Sequence, residues 1–361
     1  LNPIMEKEAA RALVAEIDKW CALAGSSLTF MEVCGTHTMA IHEAGLKSLF
    51  PQNMRLVSGP GCPVCVTEKA YIDEAILMAK EYSAAIATFG DLIRVPGSLG
   101  ALGQLRAEGG QVRVVYSPMD ALTIAAELAP RPVIFLGVGF ETTVPTVAIT
   151  FKTARAKGVK NLFCLCAFKT IHQPLRILGQ RKELTGFLLP GHVSAIIGVD
   201  CYRYLPDEFG KPGVVAGFEP LDILLAVRDL ARMAAQGTPD IVNDYKRVVR
   251  SAGNLNARRV IDDVFSPCDA AWRGLGVIPA SGLAFNEAYQ SYDARRRFPV
   301  DVPASKEDPL CKCAEIITGR MNPKGCALFG RKCTPENPIG PCMVSSEGTC
   351  AAYYKYEGGE T

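Results

Sequence analysis

The sequence predicts an α/β protein in which two similar domains with parallel sheets flank a cleft, followed by a third, mostly helical and irregular domain rich in cysteine. Three observations predict it. Short apolar runs ending in Gly, Pro or polar residues alternate with helical stretches, the rhythm of strands joined by helical crossovers. Two stretches of chain repeat one another at an offset of roughly 100 residues, the mark of an internal duplication. Beyond them, six cysteines crowd a Pro- and Gly-rich tail.

The bulk properties agree. At 361 residues and 38.8 kDa the chain is too long for one ordinary core. Hydrophobic residues make up 48% and charged residues 21%, so disordered and fibrous architectures are excluded. The net charge of +2 comes from interspersed basic and acidic residues, which leaves no footprint for nucleic acid. No apolar run is long enough to span a membrane, and Glu6, Glu8 and Arg11 stand where a secretory signal needs an apolar stretch. A cytoplasmic protein is the expectation.

Residues 5–24 place Ala9, Leu13, Ile17 and Cys21 at helical spacing with charges opposite, predicting an amphipathic helix that packs on the other domains (1–24). The first α/β domain is expected at 25–128 and the second at 129–222. LTFMEVCGTHT (28–38) parallels PVIFLGVGFETT (132–143), and RLVSGPGCPVC (55–65) parallels NLFCLCAFKTIH (161–172). AAIATFGD (84–91) parallels TGFLLPGH (185–192), and the region of VRVVYSPMDALTIA parallels GVVAGFEPLDILLA (213–226). In each, a strand ends in a Gly-containing turn before a helix. Ligands in open parallel sheets bind outside the carboxyl ends of strands, so the cleft between the halves is the expected working surface. The third domain is expected at 223–361.

Fourteen cysteines in a long intracellular chain point to metal or thiol chemistry rather than a disulfide framework. Cys311, Cys313, Cys326, Cys333, Cys342 and Cys350 lie in text made of turns, which a thiolate-bound metal could pin. Zinc usually takes close Cys-x-x-Cys pairs, and none occurs there; a cubane accepts scattered cysteines. Spacing alone leaves a [4Fe-4S] cluster, structural zinc and disulfides or inert thiols all open.

Cys34 stands at a strand end with His37 three residues on, a thiolate and an imidazole in one turn that suit a soft or borderline metal such as iron. The alternative is a buried cysteine beside a hydrogen-bonded histidine. Cys62-x-x-Cys65 has the spacing of a redox dithiol, ahead of a helix expected to start near Thr67 whose N-terminus would favour the thiolate. Chance occurrence or half a zinc site is the competing reading. GFETT (139–143) and PGHVS (190–194) occupy matching strand ends and present Glu141, Thr142, Thr143 and His192 toward the cleft, or serve only as turn and cap. Cys164 and Cys166 alternate within a strand and read as core; Cys21, Cys201 and Cys268 read as structural.

With CGTHTMAIH, GPGCPVC, GFETT, PGHVS and CTPENPIGPCMVSSEGTCAAYYKY in this order, the sequence resembles the HypD family of hydrogenase maturation proteins over essentially its whole length. The resemblance implies a scaffold with a redox role, rather than a turnover enzyme, for the Fe(CN)2CO unit of [NiFe]-hydrogenase. It implies a complex with HypC, cyanide received from HypE, and delivery to the hydrogenase large subunit. It further implies a [4Fe-4S] cluster on Cys311, Cys326, Cys333 and Cys350, which match the family spacing Cys-x14-Cys-x6-Cys-x16-Cys and leave Cys313 and Cys342 spare. Cys34 becomes the expected iron-binding thiolate, with His37 beside it, and Cys62 and Cys65 the expected redox dithiol. Competing functions are a stand-alone iron–sulfur thiol–disulfide oxidoreductase and a zinc-stabilised metal chaperone.

Overall fold

The computed structural model describes residues 3–305 and 307–358. Strands β1 (Leu28–Glu32), β2 (Met54–Ser58), β7 (Gly186–Pro190), β8 (Gly213–Ala216) and β9 (Ile241–Asn243) form one sheet in the order β2-β1-β7-β8-β9, parallel throughout. The second sheet has the order β10-β11-β6-β5-β3-β4, from β3 (Ala85–Thr88), β4 (Val112–Val114), β5 (Val133–Gly139), β6 (Leu162–Lys169), β10 (Phe265–Trp272) and β11 (Gly276–Phe285). Strands β3 to β6 pair in parallel, and the β10–β11 hairpin joins β6 antiparallel. The central strands β1, β5 and β7 are buried along their whole length, as expected of parallel strands covered on both faces.

The sheets therefore do not follow the contiguous ranges 25–128 and 129–222. β1 and β2 pair with β7 and β8, while β3 and β4 pair with β5 and β6. Strand identity is written in local apolar pattern, but a helical crossover can return the chain to either sheet, and nothing local says which. The aligned runs of sequence do occupy corresponding places in the two strand orders. Replacing each strand by its aligned counterpart turns β2-β1-β7-β8 into β6-β5-β3-β4.

The helix Pro3–Ala24 finds its partner in Pro220–Gln236. Ile17 and Cys21 are fully buried in one core with Ile223, Leu224, Val227 and the sheet residues Phe30 and Val214, whereas Ala9 stays exposed. Glu16 closes the edge of this contact on Arg228 at 3.1 Å. No helix among the described residues is long and apolar enough to cross a membrane.

The range 223–361 is not a separate helical domain. Its first part extends both sheets through β9 and the β10–β11 hairpin. Only the tail is irregular, with helical turns at Cys313–Ile316 and Pro341–Val344 and a final helix, Thr349–Glu357. That helix packs on Gly35–Glu43, with the rings of His42 and Tyr353 4.2 Å apart, His42 Nδ1 3.0 Å from Glu357, and Lys47 Nζ donating to the Tyr353 hydroxyl at 3.0 Å. The cysteine-rich tail is thus fastened beside the end of β1.

Candidate functional site

A cavity of about 150 Å3 lies where the carboxyl ends of the two sheets meet. Val33 and Cys34 follow β1, Pro190 ends β7 and His192 and Val193 follow it; Phe140, Thr142 and Thr143 follow β5, and Ile171 follows β6. Gly61 and Pro63 close one side, and Glu347 from the tail closes another. Of the predicted residues, Cys34, Thr142, Thr143 and His192 line this one space.

Cys34 is brought there by backbone packing. Gly59 N–H donates to Glu32 O at 2.8 Å and Gly35 N–H to Gly61 O at 3.3 Å, so the loop 59–61 lies flat on residues 32–35. A Cβ on Gly61 would stand 2.5 Å from Cys34 N and Cα, and one on Gly35 would stand 2.4 Å from Glu347 O. Only glycine permits these approaches. Cys34 occupies the N-cap of the helix Gly35–Glu43, where the N–H groups of His37 and Thr36 favour its thiolate without closing a capping hydrogen bond. Burial outweighs them and, with the Glu347 carboxylate, pushes the thiol up to about 11. It is a neutral thiol at neutral pH, so a metal binding there must displace a proton.

His37 does not line the cavity. It is fully buried, its Nε2–H donates to Gly217 O at 2.9 Å, and Nδ1 has no partner. Burial holds its pKa down to about 4, so the ring is neutral. Phe218 lies between the rings of His37 and His192, at 4.7 and 4.0 Å. His37 therefore braces the loop after β8, which in turn holds His192 at the cavity wall.

Glu141 also turns away. Its Oε1 accepts the Ile171 N–H at 2.9 Å while Oε2 is buried without a partner, and burial pushes its pKa up to about 7. It ties the turn after β5 to the one after β6. The sequence pattern placed it at the correct strand end, but a strand end presents some side chains outward and others between the sheets.

Cys62 and Cys65 form a disulfide with their Cα atoms 5.2 Å apart. Cys62 caps the helical turn Pro63–Val66, which contains Cys65, and the longer helix expected near Thr67 begins at Lys69. The Cys65 N–H donates to Cys62 Sγ at 3.1 Å. Arg273, which the sequence did not single out, grips this turn from behind. Its Nε donates to Cys65 O at 3.0 Å, Nη2 to Thr67 O at 2.9 Å and its own N–H to Val66 O at 2.8 Å, while Nη1 pairs with Glu307. Because Pro63 lines the Cys34 cavity, the disulfide turn borders the same space.

The six tail cysteines converge. Cys311, Cys313, Cys326, Cys333, Cys342 and Cys350 all line one apolar pocket with Ile316, Leu328, Phe329 and Met343. Cys311 lies within electrostatic range of Cys313, Cys333 and Cys326, and the Cys313 and Cys342 thiols face each other. Among the described residues no three His, Cys, Asp or Glu side chains stand close enough together to share a single ion. The turn Pro341–Val344, which carries Cys342, packs against Pro63–Val66. Cys164 and Cys166 are buried in β6, and Cys21 in the helical core.

Sequence reasoning missed Glu347 as well as Arg273. Glu347 accepts a hydrogen bond from the Thr36 hydroxyl at 2.8 Å and reaches Cys34 across more than 300 residues of chain, a juxtaposition without a local signal.

Comparison with known proteins gives one answer. The family model described as "HypD: Hydrogenase formation hypA family" matches residues 8–357. A hydrogenase maturation factor HypD from Escherichia coli K12 is 46% identical over 332 residues, covering 91% of this chain and 89% of that protein. The HypD of Rhodobacter capsulatus is 44% identical over 360 residues, covering 97% and 96%, and that of Rhizobium leguminosarum 42% over 363 residues, covering 98% and 93%. With the CGTHT, GPGCPVC, GFETT and PGHVS segments gathered at the facing sheet ends, the chain belongs to the HypD family of hydrogenase maturation factors.

Proposed function

We propose that the chain is the cytoplasmic scaffold on which the Fe(CN)2CO unit of [NiFe]-hydrogenase is assembled, with the iron held between Cys34 and a cysteine of HypC, cyanide delivered by HypE, and the finished unit passed on toward the hydrogenase large subunit. The observation that carries this reading is the single cavity bordered by Cys34, by the Cys62–Cys65 turn and by the ends of both sheets.

Iron is the cargo. Its binding to Cys34 releases the thiol proton, and burial of the site keeps water from competing for the metal. The cavity wall has no Lys or Arg, so anionic cyanide ligands are stabilised by neutral donors: the hydroxyls of Thr142 and Thr143 and the His192 ring.

Releasing cyanide from a thiocyanate-like group on HypE takes two electrons. The Cys62/Cys65 dithiol supplies the pair: it closes to the disulfide, the HypE sulfur leaves as a thiol, and cyanide and one proton are set free. The balance is dithiol plus thiocyanate giving disulfide, thiol, cyanide and a proton. In this scheme the Cys62–Cys65 disulfide is the spent form of the pair. Arg273 fixes the backbone of the turn in place while the sulfurs change partners.

The tail pocket fits a [4Fe-4S] cluster. All six tail cysteines line one apolar pocket, and a donor set made only of thiols is the chemistry an iron–sulfur cluster takes. Cys311, Cys326, Cys333 and Cys350 would hold it, and when bound it supplies electrons one at a time. Cys342, on the turn packed against Pro63–Val66, brings the tail pocket into contact with the dithiol turn.

Cys62→Ser and Cys65→Ser are each expected to retain iron on Cys34 yet to lower cyanide transfer from HypE by at least roughly 100-fold, since one sulfur cannot store a pair of electrons. The check is single-turnover cyanide transfer with the purified partners. Transfer at the wild-type rate in either variant would remove the dithiol from the scheme. Steady multiple turnover of a generic disulfide substrate by the isolated chain would favour the stand-alone oxidoreductase.

A further inference from the structure

A second cavity, of about 400 Å3, opens between the β10–β11 hairpin, the last residues of β6 and the start of the helix Lys69–Glu81. It shares no lining residue with the Cys34 cavity or the tail pocket. Lys169, the final residue of β6, lines it. Only 5% of Lys169 is exposed, and it makes no hydrogen bond or ion pair among the described residues; Nζ lies 6.0 Å from the centroid of the Trp272 ring.

Of the carboxylates nearby, Glu74, Asp269 and Asp293 have other partners, and only Glu68 acts on Lys169 through its charge across the cavity. Arg295, on the same wall, holds Glu74 through Nε and Nη2 and the Cys166 carbonyl through Nη1, so Glu74 is already taken. Asp269 accepts the Ala280 N–H at 3.1 Å, and Asp293 accepts the Arg295 N–H at 2.9 Å. An ammonium ion so enclosed is costly, which favours the neutral amine, and a neutral amine facing an open cavity is a nucleophile.

We propose that this cavity is a second reactive site, in which the Lys169 amine captures a small aldehyde as a reversible imine. Nζ adds to the carbonyl carbon, one amine proton moves to the oxygen, and loss of water leaves the C=N bond; no electrons are gained or lost. The carboxylates of Glu68 and Asp269 line the same space and can carry the proton between nitrogen and the departing hydroxyl. Burial supports this by pulling the amine down to about 8; Arg295 acts in the same direction, and Glu68 and Cys268 oppose it. The inference is independent of the metal-assembly reading, because neither Cys34 nor the dithiol takes part.

The test uses the full chain with propanal and cyanoborohydride, followed by peptide mass spectrometry of every lysine. If Lys169 only packs over Trp272, burial makes it the slowest lysine to react. The proposal predicts the reverse: at pH 7.5 Lys169 is alkylated about ten-fold faster than exposed lysines such as Lys182 and Lys332. Lys169→Arg, which keeps a cation in place, removes the fast product and leaves the other lysines unchanged. Alkylation of Lys169 at or below the exposed rate would overturn the proposal.

Discussion

Cys34→Ala is expected to abolish iron retention at the cavity between the sheet ends, by at least roughly 100-fold, while leaving intact the brown colour that the proposed tail cluster would give. Cys34 contributes the only sulfur among the residues lining that cavity, and the remaining donors are hydroxyls, a histidine ring and the Glu347 carboxylate. None of these matches a thiolate for iron carrying strong-field ligands. The tail should be indifferent because the two pockets have no residue in common. Iron counted per chain after anaerobic purification with HypC, alongside the visible spectrum, separates the two populations. Iron beyond the cluster's share that persists in the alanine variant would remove Cys34 from its proposed role.

The second large effect concerns the tail. Replacing Cys311, Cys326, Cys333 or Cys350 by Ser is expected to bleach the visible absorbance and to loosen the segment 311–350, which has little apolar content of its own and few regular hydrogen bonds. Cys313→Ser and Cys342→Ser should keep the absorbance, because they stand outside the proposed ligand set. All six thiols line the same pocket, so this contrast is a demanding one. Bleaching by Cys313→Ser with survival in Cys311→Ser would reassign the ligands. Zinc at one per chain with no visible absorbance in the unaltered protein would favour the zinc-stabilised chaperone instead.

The elements were legible wherever the pattern is local. The amphipathic spacing of Leu13, Ile17 and Cys21 announced a helix that needed a partner, and the aligned runs located eight of the strands. What the pattern lacked was the pairing: β1 and β7 meet across more than 150 residues, and the exchange of strands between sheets leaves every local run unchanged. The site behaved in the same way. Cys34, Thr142, Thr143 and His192 are readable as turn residues at strand ends, whereas Arg273 carries no motif and Glu347, although inside the tail motif at 333–356, gives no local sign that it meets Cys34. Glu141 and His37 sit inside the motifs and look like site residues from sequence; the folded chain spends Glu141 on the Ile171 N–H and His37 on the Gly217 carbonyl.

Infrared spectroscopy of the anaerobic complex with HypC, after supply of cyanide by HypE, examines the core of the account directly, because cyanide and carbonyl bound to iron absorb where protein does not. The complex should show both sets of stretching bands. A complex that holds iron yet shows neither set would contradict the assembly of Fe(CN)2CO on this chain.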